Sequence, residues 1–223
     1  MYQQIMIISG GCSVDPEFFS SQISRTKGLL IIVCDGGLRH LQTSNIKPNV
    51  IIGDMDSVDP AQLAHYDAQE IKIIKYPADK DFSDTELALD YALNLKPEKI
   101  LIWCALGGRI DHALANILLL LKGLEKGVDT LLIDEYCEIF LMNREAYFIN
   151  DTGKTVSLLA LTPEVTGITL SGFRYPLENG NLKMGQSRGI SNIIGKDHAD
   201  IKIETGKLLI VKYRKKNLFP EAL

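Results

Sequence analysis

The 223-residue chain has little cysteine, and what it has is scattered: Cys12, Cys34, Cys104 and Cys137 form no C-x-x-C pair. That excludes a disulfide framework and a paired-thiol metal motif. Cys34 and Cys104 sit in apolar runs, where a buried thiol in a reducing compartment is expected. Positive charge is not in excess either, since 24 Lys+Arg against 28 Asp+Glu leave a formal net charge of −4. No nucleic-acid partner is expected from such a balance. The densest apolar stretch, Ile117 to Leu121, is far below the roughly 18 residues of a membrane span. Met1-Tyr2-Gln3-Gln4-Ile5 shows neither the basic region nor the small-residue cleavage site of a secretory signal. No membrane partner and a soluble, cytoplasmic protein are the expectation. Internal repeats and low-complexity tracts are also lacking.

With 46% hydrophobic residues the chain can bury a real core. Up to about residue 135 short β-branched runs alternate with helical patterns, the rhythm of a parallel sheet with crossover helices. The strands are expected at Ile5 to Ser9, Leu29 to Cys34, Val50 to Ile52, Ile71 to Lys75, Ile100 to Cys104 and Thr130 to Ile133. Leu87, Tyr91 and Leu95 recur at helical spacing, and Ala113 to Leu124 is apolar on most of its circumference. Beyond about residue 145 the texture changes to short alternating segments broken by Gly, Pro and Asn: Val156 to Leu161, Val165 to Leu170, Ile201 to Glu204 and Leu208 to Tyr213. The fold class is therefore α/β: a Rossmann-like parallel sheet over residues 1–145, then a small antiparallel β-sandwich over 146–223, joined near Asn143 to Asn150.

Acidic residues collect just after the strands of the first half: Asp35, then Asp54 and Asp56, then Asp79, Asp81 and Asp84, then Asp111. An open parallel sheet binds ligands beyond the carboxyl ends of its strands, so these carboxylates should converge on one crevice. In Gly53-Asp54-Met55-Asp56 an extended backbone would point both aspartates to one side. Their repulsion would be relieved by a hard dication such as Mg²⁺. The plainer reading is a polar turn before a helix, with Ser57 or Asp59 as N-cap and Pro60 at the first helical position. Ser83 and Glu86 form a capping box, and Asp81 and Asp84 would lie beside Lys80 at that helix N-terminus, suited to a magnesium-bound phosphate. Gly107-Gly108-Arg109-Ile110-Asp111-His112 joins a strand to a helix: Arg109 can hold phosphate bidentately, or the segment is a tight turn capped by Asp111. Ser9-Gly10-Gly11 and Asp35-Gly36-Gly37 are turns at the same sheet edge and widen the phosphate-binding crevice.

Two motifs are decoys. Gly153-Lys154-Thr155 resembles the end of a Walker A loop, but Phe148 stands where its first glycine belongs, so a hairpin turn is expected. Gly185-Gln186-Ser187-Arg188-Gly189 matches G-x-S-x-G without the strand and helix a nucleophile elbow needs.

Together, Gly53-Asp54-Met55-Asp56-Ser57, Lys80-Asp81-Phe82-Ser83-Asp84 and Gly107-Gly108-Arg109-Ile110-Asp111-His112-Ala113-Leu114-Ala115-Asn116 resemble, in order and spacing, the signatures of the thiamine pyrophosphokinase family. The resemblance continues through Gly172-Phe173-Arg174-Tyr175-Pro176-Leu177 and Gly189-Ile190-Ser191-Asn192. It implies a homodimer that moves a diphosphate group from Mg-ATP to the thiamine hydroxyl and releases AMP. It further implies that Asp54, Asp56, Asp81 and Asp84 handle magnesium and position the triphosphate, that Arg109 holds phosphate, and that Asp111 lies near the reacting groups. Gly10, Gly11, Asp35, Gly36, Lys80, Gly107, Gly108, Arg109 and His112 are the candidate nucleotide contacts. Tyr175, Ser191 and Asn192 would contact thiamine, across the dimer interface. Ser83 stands where the family commonly has Thr, and some relatives carry Trp in place of Tyr175. The acceptor of the hydroxyl proton is open between Asp84 and Asp111. Alternatives are a diphosphokinase for another hydroxymethyl heterocycle, such as a pterin alcohol, or a nucleotide-binding module without catalysis.

Overall fold

The computed structural model describes residues 2–12, 15–24, 28–42 and 46–216. It divides into two units, Met1–Glu135 and Tyr136–Leu223.

The first unit is α/β. In chain order it comprises β1 (Gln4–Ile8), α1 (Pro16–Ser24), β2 (Leu29–Cys34), a 3₁₀ turn (Asp35–Leu41), β3 (Val50–Gly53), α2 (Pro60–Asp67), β4 (Lys72–Lys75), α3 (Asp84–Asn94), β5 (Lys99–Trp103), α4 (Ile110–Lys126) and β6 (Asp129–Ile133). Its strands lie side by side as β6-β5-β1-β2-β3-β4, and every pair is parallel. A sheet covered on both faces demands strands apolar on both sides. Ile5, Met6, Ile7 and Ile8 of β1 are accordingly all fully buried, each contributing roughly 1.5–3 kcal/mol of transfer free energy. The chain builds outward from β1 to β4, then returns to place β5 on the other flank of β1. That reversal is the topological switch point, where the loops after β1 and β5 diverge and open a crevice.

Local signals set the helix ends. Asp59 caps α2, its side chain accepting from the Ala61 N–H, with Pro60 at the first position. Ser83 caps α3 by accepting from the Glu86 N–H, while the Glu86 carboxylate turns to Lys122 at 2.7 Å. α4 begins after Arg109 with no side-chain cap, so Asp111 lies inside its first turn. The apolar circumference of α4 is only partly covered: Asn116, Leu120 and Gly123 are buried, whereas Ile110, Leu114 and Leu118 are exposed.

The second unit is an antiparallel sandwich built from β7 (Cys137–Met142), β8 (Glu145–Ile149), β9 (Lys154–Ala160), β10 (Glu164–Ser171), β11 (Leu177–Lys183), β12 (Asn192–Ile193), β13 (His198–Lys202) and β14 (Leu208–Lys216). One layer runs β12-β9-β14-β7, the other β11-β10-β13-β8. Alternation supplies the shared core: Val156 and Leu158 of β9, Ala199 and Ile201 of β13, and Leu208 and Ile210 of β14 all point inward.

Three features differ from the sequence reading. The unit boundary falls ahead of residue 145, because Cys137–Met142 pairs with β14 from Met142↔Leu208 to Cys137↔Tyr213. The segment read as a connection, Asn143 to Asn150, contains β8, which pairs with β13. Gly153 turns the chain between layers rather than closing a hairpin, since β8 and β9 belong to different sheets. The Gly185–Gly189 segment lies in the loop between β11 and β12, with no helix after it among the described residues.

Candidate active site

The crevice at the switch point has a volume of about 890 Å³. Its walls come from the loop after β1 (Ser9 to Cys12), the start of the 3₁₀ turn (Asp35, Gly36), the N-terminus of α3 (Ser83 to Thr85) and the loop after β5 with the start of α4 (Gly107 to Arg109, His112).

Asp35 is its buried acidic centre, 4% exposed. Its Oδ1 accepts from the Gly36 N–H and its Oδ2 from the Met55 N–H at 3.1 Å. Gly53 makes this possible, since a Cβ there would lie 2.6 Å from the Asp35 Cγ. The Asp54-Met55-Asp56 turn is not extended: Met55 has φ +69°, a left-handed conformation that L-residues rarely adopt. The turn, rather than strand alternation, gathers the carboxylates. Asp54 Oδ1 accepts from the Asp56 N–H at 3.1 Å, and Asp56 Oδ1 accepts from the Ser57 hydroxyl at 2.9 Å. One oxygen from each of Asp35, Asp54 and Asp56 lies within 4.8 Å of the others.

Lys80 ties this group to α3. Its Nζ is 3.3 Å from Asp54 Oδ2 and 2.8 Å from Asp84 Oδ1. Burial, reinforced by the negative charge of Asp84, pushes the Asp35 carboxyl up to about 6. The Asp56 N–H, and after it the Asp35 side chain and then Lys80, outweigh burial and hold Asp54 down at about 2. One member of the adjacent pair is thus biased to keep a proton while the other stays ionised.

The remaining expected residues fall in several places. Gly10, Gly11, Gly36, Lys80, Asp84, Gly107, Gly108, Arg109 and His112 line the crevice. Asp81 is exposed, and it belongs neither to the lining nor to the three-carboxylate group among the described residues. Asp111 is exposed and paired with Arg109, Oδ1 accepting from Nε at 3.1 Å and Oδ2 from Nη2. That fork holds the Asp111 carboxyl down at about 2.

Arg39, His40 and Thr85 also line the crevice and were not picked out by the sequence. Arg39 donates to the Gly10 and Gly11 carbonyls and His40 contacts the Gly11 carbonyl at 3.1 Å, pinning the glycine turn. The Ser9 and Thr85 hydroxyls share a buried hydrogen bond of 2.5 Å that fastens α3 to the end of β1. The buried Asn116 donates to the Ala105 carbonyl at 2.8 Å. A buried Asn and a buried Thr inside helical apolar patterns were the available signals.

In the second unit a smaller cavity of about 240 Å³ is bounded by Leu158, Ile168, Leu170, Tyr175, Ile190 and Asn192 among others. Tyr175 is 56% exposed and Asn192 only 6%. Ser191 is exposed and has φ +60°.

Fold and crevice define a two-unit α/β protein with a carboxylate-rich ligand site at the switch point of a parallel sheet. Comparison with known proteins narrows the class. A family model described as "Thiamin pyrophosphokinase, catalytic domain" matches residues 24–132, and one described as "Thiamin pyrophosphokinase, vitamin B1 binding domain" matches residues 141–210. The thiamine pyrophosphokinase of Bacillus subtilis is 31% identical over 185 residues, covering 82% of this chain and 86% of its own. The crystal structure of the B. subtilis enzyme superposes with a TM-score of 0.83 at 28% identity, covering 95% of this chain and 99% of that one. That of the Geobacillus thermodenitrificans thiamin pyrophosphokinase gives 0.82 at 25% identity over 96% and 99%. This chain belongs to the thiamine pyrophosphokinase family.

Proposed function

We propose that the protein transfers the diphosphate group of Mg-ATP to the hydroxyl of thiamine, giving thiamine diphosphate and AMP. The observation that carries the reading is the gathering of Asp54 and Asp56 around Asp35, with Lys80 on Asp54, beside a crevice that Asp35 and Lys80 line, in a chain whose two units match the catalytic and vitamin B1 binding models in order. Nothing observed favours a different heterocyclic alcohol or a module without catalysis.

Three carboxylates that each offer one oxygen within 4.8 Å fit a hard dication. Asp35, Asp54 and Asp56 would hold Mg²⁺, with Asp84 linked to them through Lys80; the ion would neutralise charge on the phosphate oxygens. Lys80 and Arg109 supply fixed positive charge to the triphosphate. The Gly10-Gly11 and Gly107-Gly108 turns let backbone approach it. Positioning of the hydroxyl for in-line attack on the β-phosphorus supplies most of the acceleration. Both carboxylates are ion-paired, but Asp84 lies on the crevice wall and Asp111 outside its lining, which makes Asp84 the better-placed acceptor of the hydroxyl proton. The second unit would bind thiamine through Tyr175, whose face suits a cationic ring, and Ser191.

The reading includes a homodimer, supported by the exposed Ile110, Leu114 and Leu118 stripe of α4, and a cytoplasmic location, supported by the buried free thiol of Cys34. Among the described residues no helix is long and apolar enough to cross a membrane.

The test is incubation with Mg-ATP and thiamine, resolving AMP from ADP. AMP with thiamine diphosphate is the expected result. ADP with thiamine monophosphate would overturn attack at the β-phosphorus, and no thiamine-dependent nucleotide turnover would overturn the acceptor.

A further inference from the structure

Asn192 sits at the start of β12, in register with Val156 of β9, and is almost wholly enclosed at 6% exposure. Its side-chain amide is turned onto the main chain of Tyr175. Oδ1 accepts from the Tyr175 N–H at 3.1 Å and from the Ile193 N–H at 2.8 Å, while Nδ2 donates to the Tyr175 carbonyl at 2.8 Å. A carboxamide oxygen accepts two hydrogen bonds and its nitrogen donates two. The oxygen is therefore saturated, and one of the two N–H groups is already used.

The effect on Tyr175 is geometric. Bonds to both the N–H and the C=O of one residue hold that peptide segment in place, and with it the Cα–Cβ direction that aims the ring. Pro176 restricts the Tyr175 backbone further, towards extended conformations. The Arg174 N–H donates to the Ile193 carbonyl at 2.8 Å, and the Arg174 guanidinium lies 5.7 Å from the Tyr175 ring centroid. The ring itself is 56% exposed, so its backbone is fixed while its face stays open. Only an amide of this length supplies a donor and an acceptor side by side to meet the N–H and the C=O of a single residue. Aspartate cannot donate, and serine does not reach both groups.

We infer that Asn192 is a positioning residue: it acts on the acceptor alcohol through Tyr175, by holding that aromatic ring at the mouth of the second unit's cavity, and does not itself recognise thiamine. This rests on the thiamine reading above and revises the contact role that resemblance alone gives Asn192.

Four proteins test it: the wild type, Asn192→Ala, Tyr175→Ala and the double variant. Thiamine KM, ATP KM and kcat are measured by AMP release, and exchange of the Tyr175 amide hydrogen by NMR. Asn192→Ala is expected to raise the thiamine KM about tenfold while ATP KM and kcat move less than about twofold. Added to Tyr175→Ala, it should change the thiamine KM by less than about twofold, because the residue through which it acts is gone. The Tyr175 amide should exchange at least about tenfold faster in Asn192→Ala. A full Asn192→Ala effect in the Tyr175→Ala background would overturn the inference by showing direct contact; so would an unchanged thiamine KM or unchanged exchange. If Asn192→Ala does not fold, Asn192→Asp, which keeps the acceptor and loses the donated bond, should raise the thiamine KM about threefold, and no rise would overturn the inference. A wild type that makes no thiamine-dependent AMP would sink the functional reading, and the exchange measurement would then decide the Asn192–Tyr175 coupling by itself.

Discussion

Three carboxylates within 4.8 Å repel one another, and at residue scale the question is what offsets that repulsion. Part of the answer is local: N–H groups of Gly36, Met55 and Asp56 point at them, and Lys80 stands 3.3 Å from Asp54. These partners hold the group together before any cation arrives, so removing one charge should damage function more than folding. Asp56→Asn is expected to lower magnesium-dependent turnover at least about 100-fold while shifting the melting temperature by no more than about 3 °C. Equal loss of both would mean the aspartate is structural. Gly53→Ala should do the reverse in part. Its new Cβ would meet the Asp35 Cγ at 2.6 Å, costing about 1–3 kcal/mol by overpacking and displacing Asp35. A lower urea midpoint together with weaker magnesium activation is expected, and an unchanged midpoint would show that Asp35 yields freely.

At the scale of elements, the N-terminus of α3 does two jobs. Ser83 caps it, and Thr85 in the first turn bonds Ser9 at the end of β1, so the same few residues end a loop and set the crevice wall. Ser83→Ala should cost about 1 kcal/mol, read as a fall of roughly 2–4 °C in melting temperature. Because Asp84 hangs on that first turn, ATP KM should rise as well; a stability loss with ATP KM unchanged would separate the cap from the site. The cap was legible in the sequence, since Ser83 and Glu86 have capping-box spacing. The Glu86 partner was not, because Lys122 reaches it from another helix.

At the scale of the whole molecule each unit carries its own connected ionic group, Lys80 joining Asp54 to Asp84 in the first. The second carries a connected ionic group: Asp151 takes Lys154 and Lys212, Lys212 also meets Glu138 at 3.0 Å, and Arg214 pairs with Glu138. Burial alone would raise the Asp151 carboxyl, but the hydrogen bonds from Lys154 and Lys212 outweigh it and hold it below the usual range. Its stabilisation is therefore complete above the unfolded value of about 3.9 and is lost as the pH falls through the lower folded value. Asp151→Asn should cost about 1–3 kcal/mol at pH 7, and the gap from wild type should close at pH 2–3, measured as urea midpoints by circular dichroism. An equal gap at both pH values would exclude the ionic origin. Trp103, the single tryptophan, is fully buried in the first unit against Phe18 and Phe19, so its fluorescence gives a separate view of that unit.

The pattern along the chain determined by itself the α/β class, the succession of parallel strands and the presence of acidic turns after them, because burial on both faces and helix capping are local demands written in residue type. It also carried the family's ordered motifs. Tertiary structure decided the rest. It placed Asp35, from the turn after another strand, beside Asp54 and Asp56, left Asp81 in solvent, bound Asp111 to Arg109, and turned Asn192 inward onto Tyr175. It made strands of Cys137–Met142 and Glu145–Ile149, because their partners β14 and β13 lie far along the sequence. Which carboxylates share a proton, and which amide spends its hydrogen bonds on a backbone, depend on distances between residues remote in sequence, and periodicity carries no record of those distances.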